Sequence, residues 1–380
     1  GRGFLVTSSG LPVSSTTAAS AETKPYAGRV LVYGLRGEEE PLLQGVLNRA
    51  GKVHKRTIRA AAFAKRSRTV TPPPLPPTGA ADPSSDLPAP PSYCGGVIAA
   101  VSFDGVCSIW RDCGELSPEG LLEWQCAVTL TGCSSELKGV LWSSQDTLLS
   151  VCSRDKSVWI YEVPEDMFDH AMGVGEDAGG AGDCEVVSIL THHSGDVKAL
   201  SSLPSEPDDV LLSASYDASV NVYTADEAGD YSLTTSLKSA SAASGDKAAT
   251  IWSLAVTPHG TRLYAGTGEG EVLIYHIEDG EFTHVHTLTV AEEGTKARPI
   301  YSIAVPPPSA SHGCVLLGYS SGIYLYREVS SVMGGGWTLD CRAKQAHEQD
   351  VMSVAFVDDG RALLSVGEEG KIRFWSFVIG

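Results

Sequence analysis

The chain has 380 residues, 42% of them hydrophobic and 19% charged, enough to bury a sizeable core. Lys plus Arg number 28 against 46 Asp plus Glu, and the resulting charge of −18 argues against general nucleic-acid binding, which needs a positive contact surface. No run approaches about 18 consecutive apolar residues, which excludes a transmembrane helix.

Length alone allows two or three domains, or one large all-β domain. In chain order, 4–9 and 29–33 read as strands around a Ser/Thr/Ala-rich stretch, about 11–27. TIRAAAF (57–63) is the next strand, followed by a Pro-rich stretch, about 64–94. Then a unit begins to repeat. VIAAVSFDGVCSIW (97–110) is a small apolar run, a turn and an alternating strand, and LLSVCSRDKSVWIY (148–161) repeats it. An acidic, Gly-rich stretch, about 164–183, intervenes before LLSASYDASVNVY, LYAGTGEGEVLIY, VLLGYSSGIYLY and LLSVGEEGKIRFW. The three stretches lack the composition to pack a core and are expected to be disordered insertions.

The strand-ending aromatics are Tyr33, Trp110, Tyr161, Tyr223, Tyr275, Tyr326 and Trp375, separated by 77, 51, 62, 52, 51 and 49 residues. Six residues before the last six stand Asp104, Asp155, Asp217, Glu269, Ser320 and Glu369, side chains that bond backbone amides in tight turns. Another strand precedes each unit: ELKGVLW, DVKAL, TIWSLAV, PIYSIAV and DVMSVAF. Four short strands every 50 or so residues are the signature of a β-propeller. The pattern resembles WD40 repeats. That resemblance places His347, Ser365 and Trp375 in the family's buried His–Ser–Asp–Trp network, with Glu369 in place of the Asp. The expectation is an all-β, seven-bladed propeller over 1–380. Its first blade is incomplete at the N-terminus, and with a chain that starts at Gly1 this suggests a truncated sequence.

Several segments resemble one WD40 family in particular: HKRTIRAAAF, SFDGVCSIW, CSRDKSVWIYEV, SASYDASVNVY, TIWSLAVTPHGTRL, RPIYSIAV and QAHEQDVMSVAF. That family is the propeller subunit of the cytosolic iron–sulfur protein assembly (CIA) targeting complex. The resemblance implies a non-catalytic adaptor in cytoplasm and nucleus. It implies a HEAT-repeat scaffold and a small reactive-cysteine subunit as partners, and apo iron–sulfur proteins as clients. Some clients are recognised through a C-terminal tail ending in an acidic and an aromatic residue. The nine scattered cysteines contain no CxxC, which points to a reduced, intracellular protein without its own metal site or cofactor.

Successive loops of a blade alternate between two faces, so top-face residues follow from the repeat. They are Arg59, Lys138, Arg154 and Lys198 from earlier repeats, and Tyr216, Trp252, Tyr301 and Tyr319 from later ones. Basic beside aromatic side chains suit an acidic–aromatic peptide. The blander alternatives pair Arg154 with Asp155 or Glu136, pack Trp252 under a loop, and leave Lys138 and Lys198 merely solvated.

Other features are weaker. Lys52, Lys55, Arg56, Arg59, Lys65, Arg66 and Arg68 suggest a solvated loop before a nuclear or partner signal. His192-His193 sits where WD40 units keep a structural His, and GTGEGE opens a β-turn and not a phosphate loop. No catalytic constellation assembles. The alternative function is a general WD40 scaffold, such as a chromatin or ubiquitin-ligase subunit.

Overall fold

The computed structural model describes residues 3–8, 28–34, 42–66, 68–70, 93–169, 183–204, 209–238, 249–290, 296–308, 313–329 and 336–376. Most of the three expected insertions lies outside these residues. Two compact units result. One is Gly1–Gly132 with Gln145–Leu149 and Glu162–Glu185; the other is Cys133–Ser144, Ser150–Tyr161 and Val186–Gly380.

The first unit holds β1 (Gly3–Ser8), β2 (Arg29–Gly34), β3 (Leu42–Leu47), β4 (Ile58–Phe63), β5 (Arg68–Val70), β6 (Tyr93–Gly95), β7 (Val97–Ser102), β8 (Cys107–Leu116) and β9 (Leu122–Leu130). Here the structure corrects the blade count. Tyr33 was expected to mark a blade of its own. Instead β1–β3 join β4, β7, β8 and β9 in one seven-stranded sheet, ordered β1-β2-β3-β9-β8-β7-β4. The junction is a parallel bridge between Gly45 and Leu122. Glycine permits it, because a Cβ at position 45 would lie 2.5 Å from Trp124 Nε1. The described residues therefore form six blade sheets, not seven.

Two ends of the expected insertions are ordered. β5 pairs with β6 across the Pro-rich stretch. A 3-10 turn, Glu165–Phe168, buries Met167 completely.

The remaining sheets follow the repeat. They are β10 (Leu137–Trp142), β11 (Leu148–Ser153), β12 (Val158–Glu162) and β13 (Glu185–Leu190); then β14 (Val197–Leu203), β15 (Val210–Ser215), β16 (Ser219–Ala225) and β17 (Tyr231–Lys238). Next come β18 (Ile251–Val256), β19 (Arg262–Thr267), β20 (Glu271–Glu278) and β21 (Glu281–Thr289); then β22 (Ile300–Ala304), β23 (Cys314–Tyr319), β24 (Gly322–Val329) and β25 (Gly336–Ala343). Last are β26 (Val351–Val357), β27 (Ala362–Gly367) and β28 (Ile372–Ser376), a three-stranded sheet. These sheets belong to the second unit, apart from the residues of β11–β13 assigned to the first.

Burial explains the composition of each strand. The second strands β7 and β23 are buried at every residue, so they read as unbroken apolar or small runs. Outer strands such as β17 are mostly exposed and carry Ser, Thr and Lys. Between the last two four-stranded sheets, Tyr264, Val272 and Ile274 pack with Val315, Leu317 and Tyr324. Each side chain buried there removes apolar area from water at about 25 cal/mol per Å².

The second-to-third strand turns are tight. Lys156 and Ala218 adopt φ of 76° and 64°, where Gly105 takes 82°, and Ser320, at the acid position of its own turn, takes 50°. Side-chain bonds hold the first two: Asp155 accepts from the Ser157 amide at 3.1 Å and Asp217 from the Ser219 amide at 3.1 Å.

Candidate functional site

The inner strands do not run straight into their partners. Register shifts fall between Ile58 and Ala60, Val197 and Ala199, Ile251 and Ser253, Ile300 and Ser302, and Val351 and Ser353. The extra residues are Arg59, Lys198, Trp252, Tyr301 and Met352. A β-bulge of this kind takes one side chain out of the pleat and re-aims it. Four of the five are expected site residues, so the repeat position singled out by sequence is a bulge position.

In the second unit these side chains meet. The Lys198 ammonium lies 4.9 Å from the centre of the Trp252 ring and 5.5 Å from that of Tyr216. Trp252 meets Tyr301 edge-on, with centroids 5.2 Å apart. Gly268 leaves room for the indole, since a Cβ there would lie 3.3 Å from Trp252 Nε1. Tyr216 is 59% exposed, so the cluster opens to solvent. Each cation–π contact is worth roughly 0.5–1 kcal/mol at such a site.

Lys198, Lys138 and Arg154 each lie beside an acid. Lys198 Nζ lies 3.3 Å from Asp196, and Lys138 Nζ 2.6 Å from Glu136. Arg154 is 59% exposed and 3.7 Å from Glu136, the strut pairing weighed as an alternative, and it keeps most of its guanidinium in water. Arg59 sits on β4 in the first unit, half-buried. Tyr319 departs from expectation. It is buried and packs edge-on against Tyr324 in the core, because it ends a fully buried strand. The basic run is engaged locally: the Lys65 and Arg66 amides donate to Asp146 at 2.8 and 2.7 Å, and Arg66 lies over Phe168.

The structural network is wider than the sequence showed. His347 Nδ1 lies 2.6 Å from Glu369 and its Nε2 2.7 Å from Ser365 Oγ, while Trp375 Nε1 donates to the same hydroxyl at 2.8 Å. His193 repeats the arrangement with Asp217 at 3.0 Å and Ser213 at 2.7 Å. His54 does so with Asp104 at 3.4 Å and Ser108 at 2.6 Å, and was not picked out from sequence. The serine that stands four residues before the acid in the other two units is Ala100 here. Its hydroxyl is replaced by that of Ser108, directly opposite Ala100 on the next strand.

Burial raises the cost of charge on these acids, yet bonds from histidine, serine and backbone amides prevail. Asp104 is held down to about 2, and Asp217 and Glu369 are also lowered. Among the described residues, no group of three or more His, Cys, Asp or Glu is arranged to hold a metal ion, and no helix is long and apolar enough to cross a membrane.

Comparison with known proteins agrees with the repeat. The family described as WD domain, G-beta repeat matches residues 124–162, 184–224 and 340–376. A probable cytosolic iron-sulfur protein assembly protein 1 from Neurospora crassa is 34% identical over 28% of this chain and 26% of its own length. The one from Chaetomium globosum is 35% identical over 29% of this chain and 25% of its own. A probable cytosolic Fe-S cluster assembly factor from Schizosaccharomyces japonicus is 28% identical over 73% of this chain and 42% of its own. The matches thus span about a quarter of the first two relatives and less than half of the third. The chain carries WD40 repeats at these three stretches, and it resembles the propeller subunit of the CIA targeting complex.

Proposed function

We propose that this chain is a non-catalytic adaptor of the cytosolic iron–sulfur protein assembly machinery. It recognises apo-proteins and helps deliver 4Fe–4S clusters to targets in cytoplasm and nucleus. In this reading it works with a HEAT-repeat scaffold and a small reactive-cysteine subunit, and the cluster is cargo. The relatives' names support the pathway, and the WD40 fold supports a binding role.

The observation that carries the recognition step is Lys198 set against Tyr216 and Trp252 at a bulge-built, solvent-open cluster. A cation beside rigid aromatic faces is what a tail ending in an acidic and an aromatic residue requires. Arg154 adds an exposed guanidinium that can grip a carboxylate bidentately.

Titration of a fluorescent peptide ending in Asp-Trp tests this. Trp252→Ala and Arg154→Glu should each weaken binding about tenfold, or ~1.4 kcal/mol. Unchanged affinity in both variants would remove the site. Affinity purification should also return a HEAT-repeat scaffold.

A further inference from the structure

A second polar cluster lies at the opposite ends of the strands, between the β18–β21 and β22–β25 sheets. Arg262 stands directly across from His276 in the first of these, and Glu328 across from Trp337 in the second. The Arg262 guanidinium donates to Glu328 at 2.7 Å and bridges the sheets, each side chain 27% exposed. This ion pair is the shared wall of two cavities. One, about 220 Å³, is lined by Thr257, Tyr264 and Pro306–Pro308 among others. The other, about 360 Å³, is lined by His276, Val285, His286 and Trp337.

Tyr264 is 1% exposed and meets Trp337 edge-on at 6.0 Å. Its ring lines the first cavity, close enough to Arg262 and Glu328 to feel both charges. Burial pushes the phenol up to about 12, so it stays a neutral donor.

The donors left over decide the ligand. Arg262 has five N–H groups and uses one on Glu328. The Tyr264 hydroxyl adds another, and the imidazoles of His276 and His286 line the second cavity from the same sheet. Against these stand the second oxygen of Glu328 and the exposed Glu278, 3.8 Å from His276. The N–H groups that Arg262 does not spend on Glu328 fit an acceptor-rich group. The smaller cavity falls below the roughly 300 Å³ of drug-sized sites and suits one side chain.

We propose that this cleft is a second peptide-binding site, in which an Asp or Glu side chain of an extended partner segment bonds Arg262 and Tyr264 while the neighbouring residues cross the ion pair toward Trp337. It shares no residue with the cluster around Trp252 and stands independently of the client-tail reading.

The test is fluorescence anisotropy with labelled heptapeptide pools whose central residue is fixed as Glu or as Gln, against the full chain. The Glu pool should bind about tenfold more tightly, the increment of a charge-assisted bidentate contact. Tyr264→Phe keeps the ring volume and Arg262→Gln keeps most of the stem. Each should cut Glu-pool binding at least about fivefold without changing the circular dichroism spectrum, while Trp252→Ala leaves it unchanged. Equal binding of the two pools, no binding below about 1 mM, or insensitivity to Tyr264→Phe and Arg262→Gln would each overturn the proposal. So would loss of Glu-pool binding in Trp252→Ala alone, which would assign that binding to the other cluster.

Discussion

The exchange of Asp for Glu at position 369 is matched by a second exchange two residues earlier. In three units the acid's own amide donates to a serine hydroxyl: Asp104 to Ser102 at 3.2 Å, Asp155 to Ser153 at 3.2 Å and Asp217 to Ser215 at 3.1 Å. At the corresponding place before Glu369 stands Gly367. A Cβ there would collide with Glu369 Oε2. The extra methylene of Glu thus folds back into the space a serine would fill, and Oε2 is left buried without a partner among the described residues. Glu269 makes the contrast. Thr267 precedes it, and Glu269 turns outward to solvent.

This predicts a strongly coupled double-mutant cycle. Gly367→Ser alone forces its Cβ onto the carboxylate and should cost about 2–3 kcal/mol. Glu369→Asp alone relieves an orphan acceptor worth about 1–3 kcal/mol but opens a small gap, so it should be near neutral. Together they rebuild the Asp217–Ser215 arrangement. The double variant should be about 1 kcal/mol more stable than the parent and melt about 2 °C higher. The coupling energy should be about 2 kcal/mol or more in favour of the pair. Thermal and urea melts of the four proteins read it. If Gly367→Ser costs as much in the Glu369→Asp background as in the parent, the reasoning is refuted.

Two further outcomes follow from the same networks. Ser108→Ala strands both His54 Nε2 and Trp110 Nε1 and should cost about 2 kcal/mol in urea unfolding; adding Ala100→Ser should restore most of it, by returning the hydroxyl to the strand that carries Ser213 and Ser365. For acid stability the sign is set by Asp104, whose folded value of about 2 lies below its ordinary 3.8. Its contribution is complete above the ordinary value and is lost as pH falls through the folded one. Melting temperature should therefore drop between about pH 4 and pH 2, and Asp104→Asn should start lower at neutral pH and flatten that limb.

The repeat was legible because each unit must place a small apolar run, a tight turn and an aromatic at fixed spacing, whatever else changes. Its failure at Tyr33 is instructive. The aromatic marks a strand end, but whether three strands stand alone or extend a neighbour depends on Gly45 and Trp124, which no period reveals. Equivalence between repeats picked out Arg59, Lys198, Trp252 and Tyr301, and all four coincide with bulges. Tyr319 misled because the turn position is exposed at Tyr216 but belongs to a fully buried strand end in its own sheet. His54 was missed because its serine partner had moved across the strand pair, so the fixed spacing was broken. The Arg262–Tyr264 cleft had no sequence signal at all, since its residues come from separate strands of two sheets.

The bulges have an evolutionary consequence. A side chain lifted out of the pleat contributes little to the packing between sheets, so its chemistry can change without a refolding cost. Five such positions carry Arg, Lys, Trp, Tyr and Met, five different chemistries on one backbone device. Recognition can thus be rewritten one blade at a time, as in a lock whose pins are cut separately while the barrel stays the same.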